Sequence, residues 1–186
     1  NTNWTGCRLS IGQKDPEILE NIKILMDCNA KLYEHKERVN PSGIKSGKIY
    51  SIQINKAEIV RDLMALGLEP NKSMTMKFPE VPEQFQRHYI RGLWDGDGSI
   101  RILNKNSIKP HWRCDYVCGS LSFLKSMMGI FHKNNIKNIR LYKPPNVEAH
   151  YLIIEKDEIP SIFNYFYKDV NKNARYSKKY ELFKLA

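Results

Sequence analysis

The chain has 186 residues, and its 30 lysines and arginines against 20 aspartates and glutamates give a formal charge of +10, which points to a polyanionic partner, nucleic acid first and an anionic membrane surface second. A hydrophobic fraction of 41% is enough for a real core and excludes an intrinsically disordered chain. No run of about 18 apolar residues exists, so no membrane span is predicted, and Asn1-Thr2-Asn3-Trp4 has neither the basic nor the apolar region of a secretory signal.

In chain order, Cys7-Arg8-Leu9-Ser10-Ile11-Gly12-Gln13 alternates apolar and polar side chains, as a half-buried strand does. Asp15-Pro16-Glu17 then offers an N-cap, a proline at the first helical position and an acid in the first turn. Ile18, Leu19, Ile22, Leu25 and Met26 supply the helix with an apolar stripe. Strands are expected at about 31–39 and 48–55, on either side of the turn cluster Asn40-Pro41-Ser42-Gly43. A helix over about 56–66 ends at Gly67. The proline-rich Phe78-Pro79-Glu80-Val81-Pro82 closes this half.

The order then recurs. A helix ends near Gly96, strands follow at about 99–106 and 112–118, and a helix at about 120–133 carries Leu121, Leu124, Met128 and Phe131. Strands at about 138–143 and 149–155 and a helix at about 157–168 complete the chain. Lys31-Leu32-Tyr33 resembles Arg140-Leu141-Tyr142, and Lys56-Ala57-Glu58-Ile59 resembles Lys156-Asp157-Glu158-Ile159, which supports an internal repeat. The repeats are expected at 1–78 and 85–186, joined by a connector at 79–84. In each, helices bury one sheet face and basic side chains occupy the other.

The basic residues are spread over these strands and do not gather on one amphipathic helix, which argues against a membrane-surface module. Cys7, Cys28, Cys114 and Cys118 contain no CxxC pair and no zinc-ligand spacing, and Cys114 and Cys118 share one strand face as small core residues. A reduced, intracellular setting fits this usage. Asn1 stands where a gene product normally carries methionine, so further residues are expected upstream.

The segment richest in chemical information is His88-Tyr89-Ile90-Arg91-Gly92-Leu93-Trp94-Asp95-Gly96-Asp97-Gly98-Ser99-Ile100. It reads as a helix over about 85–96 that stops at Gly-Asp-Gly and turns straight into a strand. Gly92 and Gly96 lie four apart on one helical face, although glycine costs a helix roughly 1 kcal/mol relative to alanine, and such a pair suggests close approach by another backbone. Asp95 and Asp97 sit at the negative end of the helix dipole, a poor place for an acid unless a cation such as a hard divalent metal neutralises it. The bland alternative is an Asp-Gly turn with solvated acids. A calcium loop is disfavoured because no glutamate stands at the required later position.

The run Ile90-Arg91-Gly92-Leu93-Trp94-Asp95-Gly96-Asp97-Gly98 resembles the signature of the LAGLIDADG homing endonucleases, with Asp97 at its last acid, and the element order matches over essentially the whole chain. The resemblance implies an α+β fold of duplicated αββαββα units with pseudo-twofold symmetry. Two antiparallel four-stranded sheets would form a DNA-binding saddle in a monomer. It implies a site-specific double-stranded DNA endonuclease. Two signature helices would meet through faces such as that of Gly92 and Gly96, and each would contribute an acid to a divalent cation, Mg²⁺ or else Mn²⁺ or Ca²⁺, at a scissile phosphate. Asp97 and Gly96 are the metal candidates. Gln13 resembles the polar residue that orders water, with Gly119 or Ser120 as its counterpart. Lys72 resembles the active-site lysine, and Lys178 or Lys179 is the second. Aligning Ile11-Gly12-Gln13 with Cys118-Gly119-Ser120 puts the first signature helix upstream of Asn1, so the first repeat is expected to lack it. The alternative is a non-cleaving binder, either a group I intron maturase that grips intron RNA or a regulator.

Strand alternation puts Arg101, Leu103 and Lys105 on one face opposite Ile100 and Ile102, and Arg8 and Ser10 on one face opposite Leu9 and Ile11. With Lys31, Tyr33, His35, Arg38, Lys48, Arg113, Asp115, Arg140, Tyr142 and Lys143, these are the DNA-binding candidates. Two-stranded ribbons fit the major groove, where arginine reads guanine by paired hydrogen bonds.

Overall fold

The alternating segment at the start forms strand β1 (Leu9–Gln13), and the expected cap starts α1 (Pro16–Leu25), the Asp15 carboxylate accepting from the Glu17 N–H at 3.0 Å. The structure, a computed structural model, describes residues 8–39, 43, 45–67, 75–104, 106, 108 and 111–186. It divides into two units, Asn1–Leu68 and Glu69–Ala186.

The first unit continues with β2 (Leu32–His35), β3 (Arg38–Val39), β4 (Lys45–Ser46), β5 (Ile49–Ile54) and α2 (Ala57–Ala65). The expected long strand at 31–39 is thus two pieces. β1, β5 and β2 form an antiparallel sheet in the order β1-β5-β2, while β3 and β4 pair as a separate two-residue ribbon. Three strands, not four, make the first sheet among the described residues. Its core gathers Leu19, Ile52 and Ile54, with Leu9, Ile11, Leu32 and Tyr50 packed around them.

The second unit opens with α3 (Glu83–Asp97), followed by β6 (Ser99–Leu103), β7 (His111–Cys118), α4 (Leu121–Lys133), β8 (Ile139–Tyr142) and β9 (His150–Ile154). A 3₁₀ turn at Lys156–Glu158 leads into α5 (Ile159–Tyr167), and another at Lys172–Ala174 precedes α6 (Ser177–Leu185). The sheet is antiparallel in the order β6-β7-β9-β8. Ser120 caps α4 by accepting from the Phe123 N–H at 3.3 Å.

Trp94 of α3 is fully buried at the centre of this unit, its ring 5.5 Å from Tyr116 and Phe166 and 6.2 Å from Phe131. Cys114 and Cys118 are buried on the helix side of β7, as their spacing predicts. No helix among the described residues is long and apolar enough to cross a membrane.

The order β1-β5-β2 reproduces β7-β9-β8. The registers agree in detail. Ile52 is flanked by Ile11 and Leu32, and Leu152 by Tyr116 and Leu141. Lys31-Leu32-Tyr33 and Arg140-Leu141-Tyr142 therefore hold matching positions in their sheets. The same registers match Gln13, opposite Tyr50, with Cys118, opposite His150, one residue before Gly119 and two before Ser120, the counterparts expected from sequence.

Candidate active site and nucleic-acid interface

Asp97 is the last residue of α3, one residue later than the expected helix end, and its side chain is exposed. Gly98 closes the helix by donating its N–H to Trp94 O at 2.9 Å. A methyl group at Gly98 would overlap Cδ1 of the Trp94 indole, so packing requires glycine where the chain leaves the helix for β6.

Asp95, two residues earlier, is 7% exposed. Its carboxylate accepts from Tyr167 Oη at 2.7 Å and from the Tyr176 N–H at 3.1 Å. Burial pushes the Asp95 carboxyl above its ordinary pKa, opposed by those two hydrogen bonds and by the nearby Lys179 and Arg91 charges. Tyr167 is pushed up strongly by burial and by the Asp95 charge.

Of the two candidate lysines, Lys179 reaches the end of α3. Its ammonium donates to Trp94 O at 2.5 Å and to Asp95 O at 2.8 Å, a cation on the negative end of the helix. Burial lowers its pKa to about 8, against the upward pull of the Asp95 and Asp97 charges. Lys178 is exposed. In the sequence the family resemblance singled out Asp97, while Tyr167 and Tyr176 were missed. The helical period held the usable signal, since Arg91, Trp94 and Asp95 share the buried stripe of α3 and Asp97 leaves it.

Gly92 is exposed, and a Cβ built on it meets nothing within 4 Å, so the close backbone approach expected there is not made among the described residues. Gly96 is partly exposed. Among the described residues no three histidine, cysteine, aspartate or glutamate side chains come together as a metal cage. Gln13 is partly buried and alternates with Leu9 and Ile11 on the helix side of β1. Lys72 and Lys105 lie outside the described residues.

In the second unit the sheet face turned away from the helices carries Ser99, Arg101 and Leu103 on β6, His111, Arg113, Asp115 and Val117 on β7, Tyr151 and Ile153 on β9, and Arg140 and Tyr142 on β8. Arg140 Nε donates to Glu155 at 2.7 Å, and the Tyr142 and Tyr151 rings lie 6.3 Å apart. Lys143, just beyond β8, is exposed. Asp115 is not an exposed contact residue: it is 1% exposed and ion-paired to Arg101 at 3.0 Å and Arg113 at 3.1 Å. Ser99, His111 and Tyr151 were missed by sequence reasoning, although alternation along the strands would have found them.

In the first unit the open face carries Ser10 on β1, Ile49, Ser51 and Gln53 on β5, and Tyr33 and His35 on β2. Arg8 Nε donates to Asn55 at 2.9 Å, and His35 is hydrogen-bonded to Ser51 at 2.7 Å. A trough of about 330 Å³ lies here, lined by Ser10, His35, Lys36, Gly47, Ile49, Ser51 and Gln53. Lys31 is exposed beside Tyr33, its ammonium 5.6 Å from the ring centroid. Lys48 departs from expectation. It pairs with Glu34 at 2.9 Å and lies over Tyr50, both on the helix side of the sheet by strand alternation. Arg38 belongs to the β3–β4 ribbon and not to this sheet.

No protein-family model and no curated protein matches the sequence. Solved structures do. The homing endonuclease I-WcaI bound to its DNA recognition sequence superposes with a TM-score of 0.62 at 16% identity, over 98% of this chain and 77% of that one. A mesophilic variant of the homing endonuclease I-DmoI gives 0.54 at 10% identity, over 86% and 79%. The K262A mutant of I-SmaMI gives 0.56 at 13%, over 88% and 74%. Other I-DmoI structures hold target DNA together with manganese or calcium. The chain therefore has the homing-endonuclease fold, an α+β architecture built on antiparallel sheets.

Proposed function

We propose that the protein is a LAGLIDADG-type homing endonuclease, which recognises a long duplex target through the open sheet faces and hydrolyses a phosphodiester in each strand. The observation that carries the reading is the end of α3. One carboxylate of the Asp95-Gly96-Asp97 run is locked inward by two hydrogen bonds, and the other is exposed beside a half-buried ammonium.

The donors fit a hard divalent cation. Asp97 presents carboxylate oxygens, and the Gly96 carbonyl is a further hard oxygen donor. The Trp94 and Asp95 carbonyls are already taken by Lys179. With so few protein oxygens, phosphate and water would complete the shell, as magnesium sites commonly require. A cation held there would lower the pKa of an attacking water and offset charge on the leaving oxygen. Asp97 holds its carboxylate outward at the helix end. Lys179 places a positive charge against the same helix end and counters negative charge that develops on a phosphate. The family resemblance would give Gln13 a water-ordering role and Lys72 a cationic one.

The test uses duplexes enriched by the protein from a randomised pool. The wild-type protein cuts them with Mg²⁺ and not with chelator. Asp97→Asn abolishes cutting while binding stays within a few-fold, and a variant that still cuts removes Asp97 from this role. Tighter binding to folded intron RNA than to duplex in competition would replace the endonuclease reading with a maturase.

A further inference from the structure

Asp115 is the least exposed charged residue among those described, although alternation places it on the open face of its sheet. Two arginines are paired with it. Arg101 and Arg113 are register partners on β6 and β7, so their guanidinium groups sit side by side above the sheet. Arg101 Nη2 is 3.0 Å from Asp115 Oδ2, and its Nη1 donates to Ser99 Oγ at 2.7 Å and to Asp115 Oδ1 at 3.5 Å. Arg113 approaches the same Oδ2 through Nε alone, at 3.1 Å. No described residue takes its Nη1 or Nη2.

The two arginines are therefore not equivalent. Arg101 is committed at both terminal nitrogens. Arg113 is paired with the carboxylate by charge at Nε, without an aligned hydrogen bond, and keeps the terminal pair that forms a bidentate contact. A flexible arginine loses rotamer freedom when it binds, whereas one already fixed by a buried carboxylate does not. An acid on a DNA-facing sheet also weakens general attraction to phosphate, so its presence favours discrimination over affinity.

We propose that Asp115 is a positioning residue that presets Arg113 as a reader of one guanine in the major groove, with Arg101 as the brace. This rests on the duplex-DNA reading above. Arg113 is the specificity-determining residue, and Asp115 acts through it.

The experiment is selection from a pool of randomised duplexes, with binding to one fixed, unselected duplex measured in parallel. The wild-type protein enriches a motif in which one position prefers guanine by roughly 5- to 150-fold, the range for a good bidentate pair. Arg113→Lys keeps the charge and brings that position to near parity while the other positions persist. Asp115→Asn does the same, and its affinity for the unselected duplex is unchanged or raised. Asp115→Asn that keeps the full guanine preference overturns the proposal. So does Asp115→Asn that weakens every position and the unselected duplex together, since that marks a purely structural acid. If Asp115→Asn does not fold, Arg113→Lys decides alone, and a preserved motif overturns the proposal. A wild-type protein that enriches no sequence overturns the duplex reading itself, and this inference with it.

Discussion

Asp95 and Asp97 are separated by one glycine and live in opposite environments. The first is buried between Tyr167 and the Tyr176 amide, and the second is exposed at the end of the helix. Lys179 depends on both, because a half-buried ammonium stays protonated only while nearby carboxylates and carbonyls support it. Its pKa of about 8 lies below the ordinary lysine value of 10.5. Between those values the unfolded chain holds a proton that the folded one has released, so this group makes folding more favourable as pH rises across that window. Urea denaturation of wild type and Lys179→Met at pH 8 and pH 10 checks it: wild type gains stability over that interval relative to the variant. The Asp-Gly-Asp-Gly pattern was legible in the sequence as the candidate site. The helical period sets Asp95 on the buried stripe and Asp97 off it, but the partners that lock Asp95 inward, Tyr167 and Tyr176, lie far along the chain without a motif of their own.

α3 does two jobs as an element. Its buried stripe, Ile90, Arg91, Trp94 and Asp95, fixes it in the second core, and its C-terminal turn carries the proposed site. Arg91 ties it to the later elements, donating from Nε to Ala174 O at 2.9 Å, while Asp95 ties it to α5 through Tyr167. Tyr167→Phe removes one donor from a buried carboxylate, with an expected loss of about 1.5–3 kcal/mol in urea denaturation. A variant within 0.5 kcal/mol of wild type would show that the carboxyl finds another partner. The strands and helices around α3 were legible because their alternation, caps and apolar stripes are local. α6 was not. Tyr180, Leu182, Phe183 and Leu185 form no clean stripe, and what holds the helix is tertiary: Lys179 on the carbonyls of α3 and Phe183 in the core. The two-residue ribbon β3–β4 was equally hidden, being too short for any period to show.

For the whole molecule, a charge of +10 and two sheets with open faces carrying arginine, histidine and tyrosine predict binding to duplex DNA that is strongly salt-dependent. Affinity for an unselected duplex should fall by about a thousand-fold or more between about 50 and 200 mM salt, as for a protein that neutralises about six or more phosphates. Fluorescence anisotropy across that range checks it, and a flat response would remove the electrostatic part of the reading. The internal repeat was an expectation read from two short matches and the element order. The strand registers give the first of those matches a common place, with Ile52 and Leu152 each at the centre of three strands. The hydrophobic clusters are much less alike. Among the described residues one gathers three buried side chains and the other nineteen. Translation delivers them in the unfavourable order: the thinly packed unit leaves the ribosome first and has to keep its strands from straying before the better-stocked one has been made.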